Sequence, residues 1–133
     1  MNLLARICWI SAPVYAVIGM AFGIHLAMSG DYSLAPAHAH LNLLGWVSIA
    51  IYGAFYTLVP AAAEQVLAKF QVALAELGVV VMVPGIAIAI TSRNEALAAV
   101  GSIIVLVSML LFLAVVLRAT GQVPASRPLQ PAE

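Results

Sequence analysis

The sequence predicts an all-α fold, an integral membrane four-helix bundle, and three observations predict it. Hydrophobic residues fill 65% of the 133 positions and charged residues only 8%, whereas a soluble domain carries about 25% charged residues. All of the few charges but one fall outside four long apolar runs. Each run approaches the length of about 20 residues that a helix needs to cross the hydrocarbon core. A chain this short makes one domain, expected over residues 1–118 and followed by a tail at 119–133.

Arg6 and Asp31 bracket the first run and give a span at Ile7–Met28. The run is too long for a signal-peptide core and has no convincing small-residue cleavage site after it, so it is expected to be retained. Gly19 and Gly23 stand one turn apart, which lets a neighbouring backbone approach closely. Trp9 and Tyr32 suit the interfacial aromatic belts. The second span is expected at Ala37–Val59, with Pro36 in its first turn and Pro60 at its exit. Gly45 and Gly53 thin one side of it. The third span is expected at Val72–Ile90, between Lys69 and Arg93, with a kink at Pro84-Gly85. The fourth runs over Ala96–Leu117 and ends at Arg118. Residues 119–133 include Pro124, Pro128 and Pro131, and their composition predicts a disordered cytoplasmic tail.

Flanking cations set orientation. Arg6, Lys69, Arg118 and Arg127 fall on one side, and only Arg93, accompanied by Glu95, falls on the other. Both termini are therefore expected in the cytoplasm, in a multi-pass protein of the bacterial inner (cell) membrane. The Asp31 loop is expected outside, in the periplasm of a Gram-negative cell. A net charge of zero gives no reason to expect nucleic acid. Cys8 is the single cysteine and has no internal disulfide partner. The sequence shows no nucleophile with a positioned base, no phosphate loop and no cysteine pair.

The chemistry-bearing residues are the three histidines. His38 and His40 open the second span and His25 closes the first, so all three are expected near one membrane face. Ionisable side chains in apolar spans are costly and mark functional sites, and imidazole is the commonest metal ligand. Residues two apart on a helix point about 200° apart, so His38 and His40 suit different neighbours. His38 and Asn42 share a face at the i,i+4 spacing. His25, His38 and His40 are the expected metal ligands, and Asn42 joins them as a candidate cofactor-binding residue. Spacing leaves haem, copper and zinc open. Met28, one turn from His25, is a candidate soft ligand. Trp46, Tyr52, Phe55 and Tyr56 are candidates to stack on a macrocycle. Glu76 is an acidic residue in a span, and such residues can relay protons.

His38-Ala39-His40, continued through Gly45, Ile51, Gly53, Phe55, Tyr56 and Pro60, resembles the tenth helix of haem-copper oxidase subunit I. That helix carries a His-x-His pair followed by a small-residue and aromatic stretch that closes on proline. In the family the first histidine of the pair holds the high-spin haem and the second the low-spin haem. The resemblance implies these roles for His38 and His40. His40 to Leu44, with Gly53 to Pro60, is also similar to the second helix of nitric-oxide reductase, where the matching histidine is again a low-spin haem ligand. A His-x-His pair ahead of a glycine-containing apolar helix is similar to the nitric-oxide-response haem and copper membrane proteins as well. The likeness covers about Ala37–Pro60.

The departures matter. The oxidase subunit has twelve helices in three arcs of four, and this chain has one arc's worth. It shows no copper-site motif with a histidine pair and a cross-linking tyrosine, so oxygen reduction by one chain is not expected. The resemblance implies that three copies would regenerate the architecture, and closed cyclic symmetry is the usual route to homo-oligomers. It also implies b-type haem held by His40, with His25 or His38 of the same or a neighbouring chain as second ligand. Bis-histidine ligation serves electron transfer with a redox protein or quinone, and an open position serves gas binding. Two other readings stand beside this one. The first is a copper- or zinc-binding membrane protein that uses the three histidines. The second is a non-catalytic scaffold in a respiratory complex.

Overall fold

The computed structural model describes residues 1–121. Its elements are α1 (Leu3–Ser29), α2 (Ala35–Leu58), the single turn α3 (Pro60–Ala63), α4 (Val66–Ser92) and α5 (Ala96–Thr120). The four long helices form a bundle in which each runs antiparallel to the one before it. All four are long and apolar enough to cross a membrane, as in a multi-pass membrane protein. Both described ends of the chain therefore lie at one end of the bundle. The expected tail lies, from residue 122 onward, outside the described residues, and so does Arg127.

The helices overrun the expected spans. α1 begins at Leu3 rather than Ile7, α4 at Val66 rather than Val72, and α5 continues to Thr120. Arg6, Lys69 and Arg118 thus sit inside helices rather than at their ends. A charge marks where hydrocarbon gives way to polar headgroups, but it does not interrupt the i→i−4 backbone bonds. Real stops come from caps. The Asn2 side chain accepts from the Ala5 amide at 2.8 Å and starts α1. Gly30 ends α1 in the left-handed conformation at φ 68°, its N–H bonded to Leu26 O. Arg93 ends α4 in the same region at φ 55°.

α2 is not a uniform α-helix. Its first turns, Ala35–His40, are α-helical, Leu41–Ser48 is a π-helix, and Ile49–Leu58 is α-helical again. Ser48 Oγ donates to Leu43 O at 2.9 Å, an i→i−5 bond that follows the wider register. π segments are rare and frequently stand at functional sites. Here the segment begins at the residue after His40.

The bundle consists of two hairpins. In the second, α4 and α5 meet almost backbone to backbone. A Cβ on Gly85 would lie 2.6 Å from Ala98 N, and one on Gly101 would lie 2.5 Å from Met82 Cα. α4 runs unbroken through Pro84. The first hairpin is closed at the terminal end by Asn2 Nδ2, which donates to Tyr56 O at 2.6 Å. Trp9 Nε1 adds a bond to Thr57 Oγ1 at 3.0 Å.

Two polar clusters join the hairpins. Tyr56 Oη donates to Gln71 Oε1 at 2.9 Å, Gln71 Nε2 donates to Ser108 Oγ at 3.2 Å, and Ser108 Oγ donates to Gln71 O at 2.9 Å. All three residues are fully buried. Around them the apolar core includes Cys8, Ala12, Ile49, Tyr52, Val72, Val79 and Val115. On the other side of α4, Glu76 accepts from Ser11 and Tyr15 of α1.

Candidate functional site

The three histidines occupy the end of the bundle opposite the termini. His25 stands four residues before the end of α1, and His38 and His40 stand three and five residues after the start of α2. At about 1.5 Å of rise per residue, all three lie within roughly two turns of the helix ends.

Shared depth does not bring them together. His38 faces α1. Its ring packs edge-on against Phe22 with centroids 5.9 Å apart, and it covers Gly23, where a Cβ would stand 2.9 Å from His38 Cε1. Asn42 follows on the same side of α2. Its amide nitrogen donates to His38 O at 2.9 Å and lies 3.4 Å from His38 Nδ1. The Gly19–Gly23 pair, expected to admit a backbone, instead receives two polar side chains, Asn42 and His38. His25 is exposed on α1, while Gly19 and Leu26 of that helix are buried.

His40 points elsewhere and is held differently. Its Nδ1 lies 2.7 Å from Pro36 O. A carbonyl oxygen carries no hydrogen, so Nδ1 must be the donor in this bond. The neutral ring then has its lone pair on Nε2. A ligating histidine ordinarily gives its other ring N–H to a carbonyl or carboxylate, which fixes tautomer and orientation and raises basicity. His38 shows the reverse arrangement, because the nearby group at its Nδ1 is the Asn42 amide, a donor. Its ring is also engaged in the α1–α2 contact. Of the two, His40 is the ring prepared to offer Nε2.

Among the described residues, no group of three or more His, Cys, Asp or Glu side chains is arranged to hold a metal ion. His25, His38 and His40 therefore do not form one site within a chain. A structural zinc site needs four such donors and a catalytic one three. Haem makes a smaller demand, since the macrocycle supplies the equatorial nitrogens and the protein supplies one or two axial groups. His40 fits that donor role. A groove of about 360 Å³ opens at the same end, between the first turn of α2 and the α4–α5 hairpin. Pro36, whose carbonyl orients His40, forms one wall, and Ile86, Ile90, Glu95, Ala98 and Ser102 line the rest. His40 itself is not a wall residue of this groove.

The aromatic residues of α2 are mostly committed to the core. Tyr52, Phe55 and Tyr56 pack around Phe112 of α5, with centroids 4.6, 5.2 and 6.3 Å away. Trp46 and Met28 are exposed.

Two features of the interior carry no sequence signal strong enough to find them. The Gln71–Ser108 pairing depends on the register between α4 and α5. The partners of Glu76 depend on which face α1 presents to α4. Compared with known proteins, the sequence matches no family model, no curated protein and no solved structure.

Proposed function

We propose that this chain is a membrane carrier of b-type haem, with His40 as an axial ligand, serving electron transfer or the binding of a gas such as nitric oxide or oxygen. The observation that carries the reading is the 2.7 Å bond from His40 Nδ1 to Pro36 O. It leaves Nε2 as the coordinating atom on a ring that cannot readily turn. When bound, the group supplies a one-electron couple or an open coordination position. The chain's own residues fix the imidazole and keep its proton on Nδ1.

The three histidines do not form one group of three, and the second axial ligand is proposed to come from another copy, or the position to stay open. A homotrimer is the assembly in keeping with the resemblance of α2 to the oxidase helix, and closed symmetry favours such rings. A redox protein or quinone would be the electron partner. Arg6, Lys69 and Arg118 at the terminal end, against Arg93 and Glu95 at the other, support cytoplasmic termini under the positive-inside rule. The histidine end then faces the periplasm of a bacterial inner membrane.

The test is the visible spectrum of the full chain, purified in mild detergent and loaded with haem. A Soret band with split α/β bands on reduction is expected, retained in His25→Ala and abolished in His40→Ala. A colourless protein, or a spectrum that survives His40→Ala unchanged, overturns the proposal. Stoichiometric copper or zinc in a colourless protein would establish the metal-carrier reading instead.

A further inference from the structure

Glu76 plays no part in the histidine site. It is the one carboxylate within the four expected spans, and such groups are costly there and mark functional sites by default. It lies ten residues into α4 and sixteen from its far end, about 15 Å and about 24 Å at 1.5 Å per residue. The nearer end carries the termini. Both carboxyl oxygens are engaged: Ser11 Oγ lies 2.6 Å from Oε1 and Tyr15 Oη lies 2.9 Å from Oε2.

The decisive detail is the position of Ser11. Its hydroxyl also lies 3.0 Å from Ile7 O, the carbonyl one turn earlier on α1. A hydroxyl has one hydrogen and two lone pairs, so Ser11 can serve Glu76 in either of two ways. With Glu76 ionised, Ser11 donates to Oε1 and Tyr15 donates to Oε2. With Glu76 neutral, the acid donates from Oε1 to Ser11 Oγ, and the serine hydrogen turns to Ile7 O. Tyr15 still donates to Oε2, now the carbonyl oxygen of the acid. Every donor and acceptor is satisfied in both forms, and no heavy atom has to move.

We propose that Glu76, Ser11 and Tyr15 form a proton-exchange site inside the membrane, with a proton from water at the terminal end of the bundle as its ligand. Uptake forms the O–H bond on Oε1 at the expense of a hydronium O–H bond. Release returns the proton to water. The titratable neighbours on α1 are Tyr15 itself and Cys8, one turn before Ser11. Lys69 stands two turns earlier on α4. The two buried tyrosines of α2 are directed elsewhere, Tyr52 to Met109 and Tyr56 to Gln71, and α2 meets Tyr15 with Gly45. The site is independent of the haem reading and stands if that reading fails.

Infrared difference spectroscopy tests it. The full chain is placed in phosphatidylcholine vesicles and titrated from the carboxyl to the phenol range. A protonated-carboxyl C=O band is expected to appear in acid, vanish in alkali and move to lower frequency in D₂O. It should be missing in Glu76→Gln, whose exposed carboxyls still titrate. In Tyr15→Phe the band should move to higher frequency, because the carbonyl oxygen has lost its donor. This second variant decides the matter if Glu76→Gln does not fold. The same bands in wild type and Glu76→Gln overturn the proposal. So does a Glu76 band that ignores D₂O, or one that Tyr15→Phe leaves unmoved.

Discussion

Asn42 lies directly over Gly19, so closely that a Cβ on the glycine would stand 2.5 Å from Asn42 Oδ1. The position is tight because Asn42 is already committed, its amide bonded back to His38 O at 2.9 Å. The contact joins the glycine pair of α1 to the polar face of α2 and sets the register of the first hairpin.

Gly19→Ala should therefore destabilise the bundle by about 1–3 kcal/mol, the usual cost of overpacking a filled site. Asn42→Ala removes the obstruction, so the double variant should recover part of the loss. Contacting residues show coupling of this kind in double-mutant cycles. Unfolding of the four proteins in detergent measures it. Simple additivity would show that the two side chains do not meet.

His38 and His40 should respond differently to substitution. His38→Ala removes a ring packed on Phe22 and Gly23, so its effect should be a loss of stability with the cofactor spectrum retained. His40→Ala should remove the spectrum and leave stability within about 0.5 kcal/mol, as for a surface change that breaks no core contact. Paired melting curves and spectra separate the two roles. Equal losses in both measurements for both variants would contradict the assigned tautomers.

The Tyr56–Gln71–Ser108 network should be more sensitive to being broken than to being replaced whole. Interhelical hydrogen bonds in membranes average only about 0.6 kcal/mol by double-mutant cycle. A buried polar group left without a partner costs about 1–3 kcal/mol. Gln71→Leu strands the Tyr56 hydroxyl and removes the bond that Ser108 Oγ accepts, while Ser108 keeps its own bond to the residue 71 carbonyl. It should cost more than Tyr56→Phe, which strands one acceptor. Chemical unfolding of the two variants gives the ranking.

One pH effect belongs to the loop between α1 and α2. The Ser33 amide donates to Asp31 Oδ1 at 2.9 Å and holds that carboxyl below its ordinary value of 3.8. A carboxyl depressed in the folded state contributes stability above its unfolded value and loses it as pH falls through the folded one. Hydrogen-exchange protection of the Ser33 amide should hold at neutral pH and fade only below the ordinary carboxylate range. Asp31→Asn should flatten that dependence.

How legible was this molecule in its sequence? The four helices were, because hydrocarbon imposes a length and excludes charge, and both constraints act residue by residue. The placement of all three histidines at one end followed from the same count. The helix ends were less legible, since Arg6 and Lys69 mark the edge of the oil rather than the end of backbone bonding. The π segment at Leu41–Ser48 was not legible at all. Its residues are ordinary apolar ones, and the wider turn shows only once α2 is seated on α1. Gly19 and Gly23 announced a close approach without naming the residues that would make it. Glu76 was visible as an anomaly, but Ser11 and Tyr15 became its partners only through the rotation of α1.

The close contacts of Gly85 with Ala98 and of Gly101 with Met82 fall entirely within the C-terminal hairpin. Those of Gly19 and Gly23 fall within the N-terminal one. Each half thus seals its tightest seam without help from the other. A nascent chain leaving the ribosome can lock its first pair of helices in the bilayer before the second pair has been translated. Afterwards the two halves have still to close the shared apolar core, the Phe112 contacts with Tyr52, Phe55 and Tyr56, and the few polar pairings between them.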